Sequence, residues 1–243
     1  MGYIPLSIED SRWPMIARFV RGPVESLYFR DVHELLRLPQ RAAGLGGGGC
    51  NFAIARVLLS AVSTLSSALY ATGAGDSGYH SAFCNMLVRF YPWDAEDEPP
   101  QTDAKKQALA EVLWTEHRAA LAHPLGLWSG APVGGMRSAA PSANADIRPR
   151  GRGYLIRYRR IGGSEGDGLS ESDLERLESS STWPFETFGE TLQIRENAAA
   201  VLKLERFYWG VRQMTLGLVA DWALAEQAEA ALARSLESGS ALR

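Results

Sequence analysis

Apolar positions recur every three or four residues over most of this chain, the period of helices with one buried face. Alternation is confined to one short stretch. Residues 8–20 and 24–37 read as two short helices broken at Gly22-Pro23. The second carries Leu27, Tyr28, Leu35 and Leu36 between charged residues, and Pro39 ends it. A glycine run, Gly46 to Gly49, leads into a long helix over about 51–72, with Asn51 or Gly49 as its cap. Phe83, Met86, Leu87 and Phe90 predict a helix over about 76–91. After the acidic, proline-ended connection from Asp94 to Pro100, Thr102 opens a helix that runs to about Ala122. Its apolar face is Leu109, Val112, Leu113 and Leu121, and Pro124 stops it.

Residues 128–153 are rich in Gly, Pro, Ser, Ala and Arg and read as loop. Gly153 to Ile161 is the strand candidate, with β-branched and aromatic residues in partial alternation. A strand needs a partner, and the stretch Leu125–Val133 is the expected one. Ser164 to Ser181 reads as a polar, serine-rich linker with a short helix at about 170–179. From Phe188 to Leu236 the pattern is helical again, through Leu192, Ala199, Leu202, Phe207, Trp209, Met214, Leu218 and Trp222. The expectation is a mostly α fold, a helical bundle with a small β-hairpin or ribbon insertion. Residues 1–161 form its main domain, 162–187 a linker, and 188–243 C-terminal helices packing on the same bundle.

Composition changes this picture little. The chain has 243 residues, 46% of them hydrophobic and 22% charged, with a formal net charge of −3. That charge gives no global attraction for nucleic acid, so binding to RNA requires a local basic patch. The two cysteines, Cys50 and Cys84, do not make a disulfide framework; they read as core residues with no nearby base, consistent with a reducing cytoplasm. The N-terminus lacks a basic region followed by an apolar core, so no secretory signal is expected. The one membrane-span candidate, Phe52 to Thr72, contains Arg56 and several hydroxyl residues and reads better as a buried helix.

Candidate chemistry is concentrated near Pro124. Arg118 and His123 stand five positions apart at the end of the predicted helix. On a regular helix such positions are about 140° apart, but His123 directly precedes the proline, where the backbone need not be helical. A guanidinium stabilises a phosphorane and an imidazole moves a proton near neutral pH, so together they suit phosphodiester cleavage without a metal. The plainer alternative is that His123 caps the helix end while Arg118 pairs with Glu116 or Glu111.

The stretch Leu113-Trp114-Thr115-Glu116-His117-Arg118-Ala119-Ala120-Leu121-Ala122-His123-Pro124 resembles the helix-ending Arg-x4-His signature of the HEPN superfamily. The resemblance covers about residues 24–160. It implies a dimerising α-helical bundle whose paired Arg/His sets form one cleft, often a metal-independent ribonuclease in toxin–antitoxin or antiphage systems. Arg118 would then stabilise the phosphate and His123 serve as general acid/base. The family's usual polar residue after the arginine is Ala119 here, and Glu116 or His117 are the candidates to support the pair in its place. That departure keeps open a non-catalytic RNA-binding or protein-interaction subunit.

Arg148, Arg150, Arg152, Arg157, Arg159 and Arg160, interleaved with Tyr154 and Tyr158, form the strongest basic feature. They suit a phosphate backbone with bases stacked on the tyrosines, or equally a solvated edge strand whose charges discourage pairing. No metal or cofactor is expected. Glu116, His117 and His123 miss the His-Glu-x-x-His pattern, and the acidic run lacks a calcium-loop glycine. The glycine run likewise lacks the Gly-Lys-Ser/Thr ending of a phosphate loop. The expected partners are RNA, a second copy of the chain, and an antitoxin or defence-system protein.

Overall fold

A computed structural model describes residues 2–39, 49–71, 78–96, 98–114, 155–161, 168–186, 191–195 and 199–237. The fold is mostly helical with a small mixed sheet. In chain order it runs α1 (Pro14–Phe19), α2 (Arg30–Arg37), α3 (Gly49–Leu65), α4 (Tyr79–Phe90) and α5 (Asp103–Val112). Then follow β1 (Leu155–Arg159), α6 (Glu171–Ser179), β2 (Leu192–Arg195), β3 (Ala199–Lys203), α7 (Leu204–Ala220) and α8 (Trp222–Glu237).

The break expected at Gly22-Pro23 is absent. Residues between α1 and α2, Val20–Phe29, form a widened π-type helix, with the Arg30 N–H donating to the Glu25 carbonyl five residues back. A proline removes one helical donor and crowds the carbonyl four residues before it; a wider turn relieves that crowding. Val20, Val24 and Phe29 are fully buried, so core packing keeps the helix running through the proline. A second π-type stretch, Ser66–Tyr70, continues α3.

Capping explains where several helices start. Thr102 accepts from the Lys105 N–H at 3.3 Å at the head of α5, and Ser170 from the Asp173 N–H at 3.1 Å at the head of α6. The first turn of α1 takes its cap from the far end of the chain. Glu229 on α8 accepts from the Met15 and Ile16 N–H groups at 2.8 and 2.9 Å, a carboxylate at the positive end of a helix.

The sheet corrects the reading of the C-terminal third. Residues 192–195 and 199–203 are strands, not helix, and pair antiparallel as Leu192↔Leu202 through Arg195↔Ala199. The partner found for β1 is β3, in parallel register from Leu155↔Ala199 to Arg159↔Lys203. The order is β1-β3-β2. Ala199 and Ala200 have no side chain long enough to fix their own state, so sheet pairing on both sides decides it. The expected partner segment, Leu125–Val133, lies outside the described residues.

One apolar core unites these parts, from Leu6 near the N-terminus to Ala228 on α8. Phe207, Tyr208 and Trp209 on α7 are buried in it, while Trp222 is half exposed, edge-on to Trp13 at 5.3 Å with Arg12 over its face. Cys50–Tyr70 is long and apolar enough to cross a membrane by length and composition, and half of it is buried inside the fold. Ile54, Leu58, Val62 and Leu65 face the core there.

Helices α4 and α7 approach closely because residue 210 has no side chain. A Cβ on Gly210 would stand 2.3 Å from the Tyr91 ring. Gly210→Ala therefore forces Tyr91 out of its place. The expected cost is about 1–3 kcal/mol, read as a lower urea midpoint. In a Tyr91→Ala background the same change should cost far less, because the ring it strikes is gone.

Candidate functional site

Most of the predicted site falls on residues not described. Glu116, His117, Arg118, Ala119, His123, Arg148, Arg150 and Arg152 all lie outside the described residues. What is described is the scaffold on either side. α5 leads toward Arg118, and Trp114, beyond its end, stacks at 30° on His80 with ring centroids 5.1 Å apart. On the other side Arg157 and Arg159 lie on β1, opposite Val201 and Lys203 of β3. Arg159 is half-buried.

Two members of the expected basic stretch serve the interior. Tyr158 is 3% exposed, its ring edge-on to Phe52, and cannot stack on a base. Arg160 is also 3% exposed. Its guanidinium contacts the Glu205 carboxylate at 3.1 Å and donates to the carbonyls of Leu36 and Leu38. It thereby closes the C-terminal end of α2, where unpaired carbonyls favour a cation. Sequence shows six arginines in thirteen residues; burial of one of them depends on Glu205, 45 residues later.

Two further polar clusters are built into the core. Glu178 on α6 accepts from His33 Nδ1 at 2.9 Å, the Tyr208 hydroxyl at 2.6 Å and the Ile4 N–H at 2.8 Å. Beside it Arg212 donates to the Tyr3 hydroxyl and to the carbonyls of Ile4 and Glu178. Burial above all pushes the Tyr208 phenol well above its ordinary range, so it stays a donor at any ordinary pH. In the second cluster Glu96 accepts from the Thr191 N–H and hydroxyl, and Tyr91 reaches Thr191 at 2.6 Å. Arg206 Nε stands 3.5 Å from the Glu96 carboxylate. Every charged group in these clusters is nearly water-free, so their arrangement ties elements together and offers a substrate no access.

A groove of about 770 Å³ lies along the second cluster, lined by Trp93, Glu98, Pro99, Lys105, Leu109 and Gln193 among others. The Glu96 carboxylate on its wall is already engaged by Thr191, leaving Lys105 and Glu98 as its charged groups. Arg159 does not line it.

The described cluster with ligand-type chemistry is on the α4–α5 pair. His80, Cys84 and Glu111 bring a nitrogen, a sulfur and a carboxylate oxygen within 4.8 Å of one another. His80 and Cys84 are one helical turn apart on α4, and Glu111 faces them from α5. This corrects the reading of Cys84 as a thiol without a neighbouring base. Burial first, and the Glu111 carboxylate second, push that thiol up to about 12, so unaided it is a protonated, unreactive group. The i, i+4 spacing of His80 and Cys84 was visible in sequence; Glu111, 27 positions after Cys84, was not.

No protein-family model, curated protein or solved structure matches the chain. Function therefore rests on the residues themselves.

Glu205 generates a prediction for stability against pH. Burial raises its carboxyl from 4.5 to about 7, outweighing the attraction of Arg160, and its Oε2 has no hydrogen-bond partner among the described residues. A raised folded-state value means the native chain holds the proton more tightly than the unfolded chain. Stability from this group is complete below about pH 4.5 and is lost as pH rises through about 7. The loss is on the order of 3 kcal/mol, and Glu205→Gln should flatten it in urea melts compared across that range. Arg160→Met should cost about 3–5 kcal/mol near neutral pH, because Glu205 loses its cation and must take up a proton, and the carbonyls of Leu36 and Leu38 lose their donor.

Proposed function

We propose that the chain is a metal-independent endoribonuclease of the HEPN type, working as a homodimer in the cytoplasm. Its setting is toxin–antitoxin or antiphage defence, an inference from the family resemblance alone. One observation carries the reading. In sequence the Arg118-x4-His123 spacing begins six positions after Val112, the last residue of α5, a helix packed beside α4 in a mostly helical fold.

In the proposed reaction His123 takes the proton of a ribose 2′-hydroxyl as its oxygen attacks the adjacent phosphorus. Arg118 bears the charge of the pentacovalent phosphorane, and the 5′-oxygen leaves with a proton returned from an acid. Arg148, Arg150, Arg152, Arg157 and Arg159 hold the RNA backbone, a smaller basic set than the sequence suggested once Arg160 and Tyr158 are assigned to the core. The second reading, a non-catalytic RNA-binding or interaction subunit, is favoured by Ala119 in the place of the family's polar residue.

The two readings separate in one assay. Wild-type protein incubated with total RNA in EDTA should cleave it, and His123→Ala should lose at least about a hundredfold in rate, the usual worth of a general acid/base. Binding without cleavage, unaltered in His123→Ala, is the result expected of the interaction subunit. Replacing Arg148, Arg150 and Arg152 together by Ala should weaken RNA affinity and reduce the slope of log affinity against log salt by about 0.7 per lost phosphate contact on single-stranded RNA. Unchanged affinity would remove the basic segment from the interface.

A further inference from the structure

The α4–α5 pair carries a side-chain set that neither the ribonuclease reading nor the core requires. His80 Nε2 lies 2.6 Å from Glu111 Oε2, and the Cys84 thiol hydrogen-bonds to the same carboxylate. All three ligand atoms fall within 4.8 Å. Gln107, one turn earlier on α5, donates to the other carboxylate oxygen at 2.9 Å and so fixes the orientation of Glu111. Trp114 packs across the His80 ring and, edge-on, against Phe83, which sets the direction in which the imidazole points. First-row metal sites are commonly built this way, with each ligand oriented by a neighbour that is not itself a ligand.

We propose that His80, Cys84 and Glu111 form a binding site for a Zn²⁺ ion that clamps the N-terminal turn of α4 to the C-terminal turn of α5. The donor set decides the metal. One imidazole, one thiolate and one carboxylate suit a borderline-soft tetrahedral ion, whereas Mg²⁺ and Ca²⁺ require oxygen throughout. The geometry is close to what such an ion needs. Metal–ligand bonds of about 2.0–2.3 Å at tetrahedral angles separate neighbouring ligands by about 3.3–3.7 Å. The His80–Glu111 pair must therefore open by less than about 1 Å, and both side chains have room to do so. Their exposures are 46% and 37%, which also leaves an entry path and a fourth position for water. Cys84 is fully buried and supplies the fixed inner ligand.

As the sulfur–metal bond forms the thiol proton passes to solvent. The dication enters as one proton leaves, so the site becomes one unit more positive on loading, and in the loaded site thiolate and carboxylate balance the metal. No redox change is involved. The clamp lies on the helix that leads toward Arg118, but its existence does not rest on the ribonuclease reading. EDTA-resistant cleavage and metal binding are separate measurements, and either can fail alone.

Cobalt(II) titration of the full, reduced chain is the test. A Co²⁺ ion bound here should give one equivalent of tetrahedral visible absorption with a thiolate-to-cobalt charge-transfer band, displaced by added Zn²⁺. Cys84→Ser should abolish the charge-transfer band, while Cys50→Ser should leave it unchanged. His80→Ala and Glu111→Gln are half-exposed substitutions that keep the fold, and each should weaken affinity by about tenfold or more; Gln107→Ala should do so to a smaller degree. Zn²⁺ should raise the melting temperature of wild type and not that of Cys84→Ser. Absence of stoichiometric Co²⁺ binding at micromolar protein would overturn the proposal. So would a charge-transfer band that survives Cys84→Ser, or affinities unchanged in both His80→Ala and Glu111→Gln.

Discussion

A carboxylate taken out of water must have its oxygens met by donors, and Glu178 collects them from three distant parts of the chain. His33 comes from α2, Tyr208 from α7, and the Ile4 N–H from the N-terminal stretch. Arg212, one turn along α7 from Tyr208, binds the carbonyls of Ile4 and of Glu178 itself, so cation and anion are held side by side through backbone as well as side chain. Removing any one partner leaves a buried charge or donor uncompensated, which is far more destabilising than the net worth of the network. The N-terminal residues, α2, α6 and α7 thus have one mutual arrangement that satisfies this cluster.

The same logic recurs at smaller scale. Arg160 joins the end of β1 to the end of α2 and to Glu205, the second residue of α7. Glu96 joins the turn after α4 to Thr191 before β2, with Tyr91 wedged against Gly210. Glu229 caps α1 from α8. Each bond links segments far apart in sequence. The helices supply apolar area, which is tolerant of sliding; these charged contacts supply direction and fix register.

This division explains why the chemistry of the chain gathers where it does. The clusters around Glu178, Glu96 and Glu205 are spent on packing, with almost no water contact. The cluster around Glu111 differs in kind: two of its side chains reach solvent, its members include a nitrogen and a sulfur, and a glutamine steadies it from behind. Structural carboxylates and a ligand carboxylate are told apart by that exposure and company, since both kinds sit on helices and accept hydrogen bonds.

Sequence by itself determined the helices with a strong apolar face, α3, α4 and α5, and the start of α5 at Thr102, because period and capping are local properties. It also placed β1 and α6 correctly to within a residue or two. Tertiary structure alone decided the rest. Packing carried the first helix through Pro23 by widening it, and pairing with β1 on one side and β2 on the other made a strand of Ala199–Lys203, a stretch the sequence pattern assigns to helix. Arg160 and Tyr158 went inward because their partners, Glu205 and Phe52, lie far away in sequence. Cys84 gained a carboxylate only when α5 folded back on α4. Local energies select elements; which side chain meets which is set by long-range burial, and a linear pattern does not carry that information.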